Sequence, residues 1–124
     1  MNVVDSCGWL EYIAAGPNAA AFAAPIEDTK NLIVPTVCIF EVVRRLIQQN
    51  RDEIVQFAIA GMRLGKVVEL DAEIAADAAR PSCRLGLSLA DSIIYATARM
   101  NGATLWTQDV HFKGVEGVRF VGKQ

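Results

Sequence analysis

The sequence predicts a single α/β domain over residues 1–124, a five-stranded parallel sheet flanked by helices on both faces. Three observations predict it. Short β-branched runs alternate with longer stretches of helical periodicity, as crossover connections between parallel strands require. The strand runs are apolar without a period of two, which suits strands covered on both faces. A chain of 124 residues with 52% apolar content suits one domain with a real core, and it contains no repeat, low-complexity segment or linker.

The elements follow in order. "NVVD" (2–5) is a first strand that ends in an acid. "SCGWLEYIAAG" (6–16) is a helix with Ser6 as its cap and Gly16 as its left-handed stop. "NAAAFAAPIED" (18–28) is a second helical stretch, broken or kinked near Pro25. "NLIVP" (31–35) is a second strand, and "TVCIFEVVRRLIQQN" (36–50) a helix opening on Thr36 as its cap. "RDEIVQFAIAGMRLG" (51–65) is an amphipathic helix closing at Gly65, and "KVVEL" (66–70) a third strand. Asp71 caps "AEIAADAARPSCRLG" (72–86), which Pro81 should end or bend. "RLGLSLADSIIYATARM" (84–100) is a helix apolar nearly all round, started by Ser88. "ATLWT" (103–107) is a fourth strand, "QDVHFKG" (108–114) a turn or short helix, and "VRFVG" (118–122) a fifth strand.

Composition removes several function classes. Cys7, Cys38 and Cys83 are widely spaced and odd in number, so they form neither a disulfide framework nor a zinc site; they are expected to be reduced, buried thiols of a cytosolic protein. The lone His111 cannot build a histidine metal site, although proton transfer or phosphate contact remains open to it beside an ordinary surface role. "MNVVDSCGW" lacks the basic and apolar regions of a signal peptide, and no apolar run approaches the roughly 20 residues of a membrane span. The net charge of −2 marks no obvious polyanion binder.

The chemistry lies in the acids. Asp91 sits three residues after Ser88, the spacing of a capping box, yet its helix is otherwise apolar. Ligands of open α/β sheets sit beyond the carboxyl ends of the strands. Asp5 ends the first strand there and Asp109 lies just past the fourth, each also readable as a cap or turn residue. Glu41 interrupts the apolar "VCIFEVV", either paired to Arg44 or Arg45 or turned toward the same edge. Two unit charges about 4 Å apart repel by about 4 kcal/mol at an effective dielectric near 20, so clustering four of them makes sense around a cation. An all-carboxylate set selects hard cations such as Mg²⁺ or Mn²⁺, which serve phosphate chemistry.

The set "VVDS", "PTVCIFEV", "LSLADSIIYATA" and "LWTQDVHF" resembles the PIN-domain ribonucleases, in particular the VapC-type toxins of toxin–antitoxin pairs, along essentially the whole chain. The resemblance implies a quartet of Asp5, Glu41, Asp91 and Asp109 that binds Mg²⁺ and hydrolyses RNA, leaving a 5′-phosphate and a 3′-hydroxyl. Ser6 and Thr107 match small polar positions beside the metal. The chain departs from the common pattern at His111, where many relatives carry a second Asp, and at Cys7, where many carry a hydroxyl residue.

The implied function is that of an Mg²⁺-dependent endoribonuclease toxin of the cytoplasm, acting on a structured RNA such as a tRNA. The implied partner is a small VapB-type antitoxin, lying beside the first helices with a basic or bulky residue in the acidic pocket. Without the quartet, ten acids face twelve Lys and Arg, and Arg44, Arg45, Arg84 and Lys113 are the candidate RNA contacts. A homodimer is expected through helix faces, with Trp9, Leu10, Tyr12 and Ile13 or Ile54, Phe57, Ile59 and Met62 as docking groups. Two rivals remain. A phospho-acceptor receiver domain is loosely mimicked by Asp71, Thr107 and Lys123, but it requires adjacent acids after the first strand and leaves Glu41 and Asp91 unexplained. A catalytically silent PIN fold acting only as a binding partner is opposed by the complete quartet.

Overall fold

The computed structural model describes residues 1–122. Five strands, β1 (Asn2–Val4), β2 (Leu32–Pro35), β3 (Lys66–Val68), β4 (Thr104–Thr107) and β5 (Val118–Phe120), form one sheet in the order β3-β2-β1-β4-β5. All four pairings are parallel, with Val3 opposite Ile33 on one side and Leu105 on the other. Six helices connect them: α1 (Ser6–Ile13), α2 (Ala19–Glu27), α3 (Thr36–Gln48), α4 (Val55–Met62), α5 (Ala72–Leu85) and α6 (Leu89–Met100). The path moves outward from β1 to β3, then returns across the sheet to β4. Right-handed crossovers therefore put α1–α4 on one face and α5–α6 on the other. The direction reverses between β1 and β4, which makes their carboxyl ends the switch point where such sheets bind ligands.

The core explains the unalternating strands. Val3, Val4, Leu32, Val34 and Leu105 are fully buried, because helices cover them from either side. In α3 the inward stripe is Cys38, Val42 and Leu46, at helical spacing. In α6 every residue from Ser92 to Ala98 is buried, which accounts for a helix apolar nearly all round.

Helix starts differ from expectation in two places, for one reason. Ser6 and Thr36 are first helical residues; the caps are Asp5 and Pro35. Both strands feed their helices with no intervening loop, so the last extended residue is itself the cap. Asp71 and Ser88 cap as expected, accepting from Ile74 N at 2.8 Å and Asp91 N at 3.2 Å.

Of the break or kink expected at Pro25 and the end or bend expected at Pro81, neither helix shows an interruption: Pro25 lies inside α2 and Pro81 inside α5. The lost hydrogen bond, about 3 kcal/mol with the ring clash, is outweighed by packing: Pro25 is buried against the core, and α5 lies along α6 with Ile74 and Ala78 against Ile93 and Ala96. The predicted helix 51–65 divides into a short 3-10 turn, Asp52–Ile54, and α4, which ends before Gly65. Gly65 serves close approach, since a Cβ there would press on Leu32. Gly16 does not supply the left-handed stop; Ala15 takes it at φ 53°, and the Glu11 carboxylate occupies the space a Gly16 side chain would need. Cys83 is exposed, contrary to the expectation of three buried thiols, because it lies on the outer side of α5.

Gly8 shows how tightly α1 is seated. A Cβ there would lie 2.7 Å from the Phe22 ring and from Val4 Cγ1, both fully buried. Gly8→Ala is expected to destabilise by about 1–3 kcal/mol through overpacking, despite alanine's better helix propensity. Urea denaturation measures this.

Candidate metal centre

Asp5 closes β1 and caps α1, and this double duty fixes its carboxylate. Its backbone N–H donates to Trp106 O at 2.9 Å, tying it to β4. Oδ1 accepts from Ser6 N at 2.7 Å, and Oδ2 accepts from Thr107 Oγ1 at 2.8 Å. The Cys7 thiol lies 3.5 Å from Oδ2 and 3.4 Å from Thr107 Oγ1. Asp5 is 2% exposed, and burial pushes its carboxyl above the ordinary value despite these donors.

Asp91 and Asp109 complete the cluster. Asp109 is separated from the end of β4 by Gln108 alone; its N–H donates to Thr107 Oγ1 at 3.0 Å, so one hydroxyl joins both acids. Ser88 caps α6 by accepting from the Asp91 N–H, but among the described residues the Ser88 N–H does not donate back to the Asp91 carboxylate. That carboxylate joins the others instead: one ligand oxygen from each of Asp5, Asp91 and Asp109 lies within 4.8 Å of the other two. Asp91 is raised to about 6, by burial first and then by the negative charges of Asp5 and Asp109. The backbone starts the helix while the side chain faces the crevice, so the capping motif and the acid cluster coexist.

Glu41 stands outside this triad and reaches it through a hydroxyl. Ser6 Oγ donates to Glu41 Oε1 at 2.8 Å and lies 3.4 Å from Asp5 Oδ1. Burial raises the Glu41 carboxyl, aided by Asp5 and opposed by Ser6 and Arg44. Beside it a cavity of about 320 Å³ opens between α1 and α3, lined by Ser6, Leu10, Glu41, Arg44, Arg45 and Gln48. Arg44 and Arg45 thus border Glu41. Arg84 lines a different depression, between α5 and α6, with Arg80 and Arg99. Lys113 leans over the Phe120 ring at 5.9 Å. Asp71 caps α5 on the surface, and Lys123 lies outside the described residues.

The donor set fits a hard divalent cation. It is all carboxylate oxygen, partly buried, with raised carboxyl groups that signal uncompensated charge. Among the described residues the one basic group paired to the triad is His111, whose Nδ1 donates to Asp109 Oδ1 at 2.8 Å from an exposed position. Cys7 and Cys38 are poor nucleophiles. Burial pushes the Cys7 thiol up to about 12, and Cys38 is raised well above its ordinary value.

Sequence reasoning missed the contact of Cys7 with Asp5 and Thr107, and the pairing of His111 with Asp109. The second had a signal, an acid and a histidine two residues apart in one turn. Of the docking groups expected on helix faces, Trp9 and Met62 are core residues, 3% and 0% exposed, whereas Phe57 is 84% exposed. No helix of the described residues is long and apolar enough to cross a membrane.

Comparison with curated proteins gives no match. Among solved structures, the chain resembles a toxin–antitoxin complex from Klebsiella pneumoniae, at 20% identity and TM-score 0.76 over 96% of each chain. It also resembles VapC20 of Mycobacterium tuberculosis, a sarcin–ricin loop cleaving toxin, at 16% identity and TM-score 0.72 over 99% of this chain and 98% of that one. VapBC2 of Rickettsia felis, bound to a DNA fragment from its promoter, matches at 11% identity and TM-score 0.74 over 98% and 97%. The PIN domain model matches residues 3–118, nearly the whole sheet and every acid of the cluster, and the chain therefore belongs to the PIN-domain family.

Proposed function

We propose that this protein is a metal-dependent endoribonuclease of the VapC type, hydrolysing phosphodiester bonds of a structured RNA such as a tRNA. The observation that carries the reading is the convergence of Asp5, Asp91 and Asp109 from three elements onto one point of the switch crevice. Glu41 completes the quartet from the far side of Ser6. The resemblance to a toxin that cleaves an RNA loop, and to toxin–antitoxin complexes, supports the substrate class and a VapB-type partner.

Asp5, Asp91 and Asp109 hold Mg²⁺, with Mn²⁺ as a substitute. A divalent ion held there would supply a water of lowered pKa and would neutralise charge on the phosphate. The side chains divide the remaining work. Asp5, fixed by Ser6 and Thr107, sets the position of the centre. Thr107 keeps Asp109 in register with it. Glu41, with Oε1 held by Ser6, offers Oε2 to take a proton from the attacking water. Arg44 and Arg45, at the cavity rim, draw the RNA backbone toward the acids.

The same cavity, open between α1 and α3, has room for a bulky antitoxin side chain beside Glu41. Phe57, and Phe40 at 62% exposure, are apolar groups that a homodimer would cover.

Incubating the purified protein with total cellular RNA, with Mg²⁺ or with EDTA, tests the reading. Fragments ending in 5′-phosphate and 3′-hydroxyl are expected with Mg²⁺ only. Equal cleavage in EDTA, or none with metal once any inhibitor is removed, would count against it.

A further inference from the structure

Asn18 stands where α2 begins, yet its side chain does not cap that helix. The backbone carbonyl starts α2, accepting from Ala21 N at 3.1 Å and Phe22 N at 3.3 Å, while the side chain makes no cap hydrogen bond. A good cap contributes about 1 kcal/mol, so the amide is committed elsewhere. Asn18 is 3% exposed, and its Nδ2 donates across the fold to Gln108 Oε1 at 3.0 Å and to Gly122 O at 3.1 Å. The residue is itself pinned, since its N–H donates to Glu11 Oε2 at 2.8 Å. The carboxylate that receives it lies over Gly16, where only a glycine leaves room.

Gln108 is the link between Thr107 and Asp109. Val121 N donates to Thr107 O at 2.8 Å, so the segment leaving β5 is bound both to the end of β4 and, through Gly122, to Asn18. A cavity of about 210 Å³, lined by Cys7, Gln108, Asp109 and Val110, lies beside the turn. The turn therefore has room to shift if its tie is cut.

We propose that Asn18 is a positioning residue for the metal centre: its amide bridge to Gln108 and Gly122 fixes the turn 107–109 and so holds the Asp109 carboxylate against Asp5 and Asp91. This rests on the metal-centre reading above. Asn18 touches neither metal nor substrate; it acts through the backbone that carries Asp109.

The test compares Asn18→Ser, Asn18→Ala and Gln108→Ala with the wild type. Serine caps a helix well but is too short to reach Gln108, so it separates capping from bridging. Two readouts are taken: hydrogen exchange of the Asp109 and His111 amides in metal-free protein, and the Mn²⁺ dissociation constant by calorimetry. All three variants are expected to exchange faster at residues 107–111, with the core of α6 unchanged, and to bind Mn²⁺ about tenfold more weakly or worse. In an Asp109→Asn background, Asn18→Ser is expected to add almost nothing to the loss of Mn²⁺ affinity. Wild-type exchange and affinity in Asn18→Ser would overturn the proposal, as would an equally large affinity loss in the Asp109→Asn background. Failure of the wild type to bind Mn²⁺ would sink the functional reading and this proposal with it, whereas wild-type binding with silent variants sinks the proposal alone.

Discussion

Asp91→Asn is expected to lower RNA cleavage by about a thousandfold, the cost of some 4 kcal/mol of transition-state stabilisation, and at the same time to stabilise the metal-free protein. The two effects share one cause. Burial first, and then the negative charges of Asp5 and Asp109, raise the Asp91 carboxyl from 3.8 to about 6. At neutral pH the metal-free fold therefore carries an unfavourable charge that asparagine removes. A rise of this size is worth about 3 kcal/mol at most, and partial exposure reduces it to about 1–2 kcal/mol. Cleavage assays and urea denaturation in EDTA measure the two sides. Full activity in the variant would leave Asp91 only its place in the first turn of α6.

The second large effect is that of metal on stability. The unfolded carboxyl titrates near 3.8 and the folded one near 6, so the contribution of Asp91 is fully present below pH 4 and is lost as pH rises to 6. Asp5 and Glu41, also raised, act in the same direction. In EDTA the melting temperature is thus expected to fall between pH 5 and pH 7.5. Mn²⁺ or Mg²⁺ at a hundred times its dissociation constant restores about 2.7 kcal/mol at pH 7.5, roughly 8–13 °C for a domain of this size, and much less at pH 5, where the acids hold protons. A melting temperature that rises with pH in EDTA, or ignores the metal at pH 7.5, would contradict the account.

The sheet was legible because short apolar runs without alternation stand between longer stretches of helical periodicity. Asp5, Asp91 and Asp109 were legible for a topological reason: strand ends and helix starts meet at one edge of a parallel sheet, so acids at those points converge whatever the loops between them. The caps slipped by one residue at Asp5 and Pro35, since sequence does not show when a strand runs into a helix without a loop. α2 and α5 continue through Pro25 and Pro81 because the local penalty visible in sequence is outweighed by packing that is not. Sequence makes Glu41 an equal member of the quartet, whereas its placement behind Ser6 depends on the angle between α1 and α3. Asn18 gave no signal at all. Its partners lie 90 and 104 residues away, and a helix-start asparagine has an ordinary local explanation.

The most direct measurement is a crystal structure of the protein soaked in Mn²⁺, with the ion located by anomalous scattering. The account predicts one peak in the switch crevice, about 2 Å from a carboxylate oxygen of each of Asp5, Asp91 and Asp109, absent from crystals of Asp91→Asn. A crevice that stays empty at millimolar Mn²⁺, or an ion bound elsewhere on the chain, would contradict it.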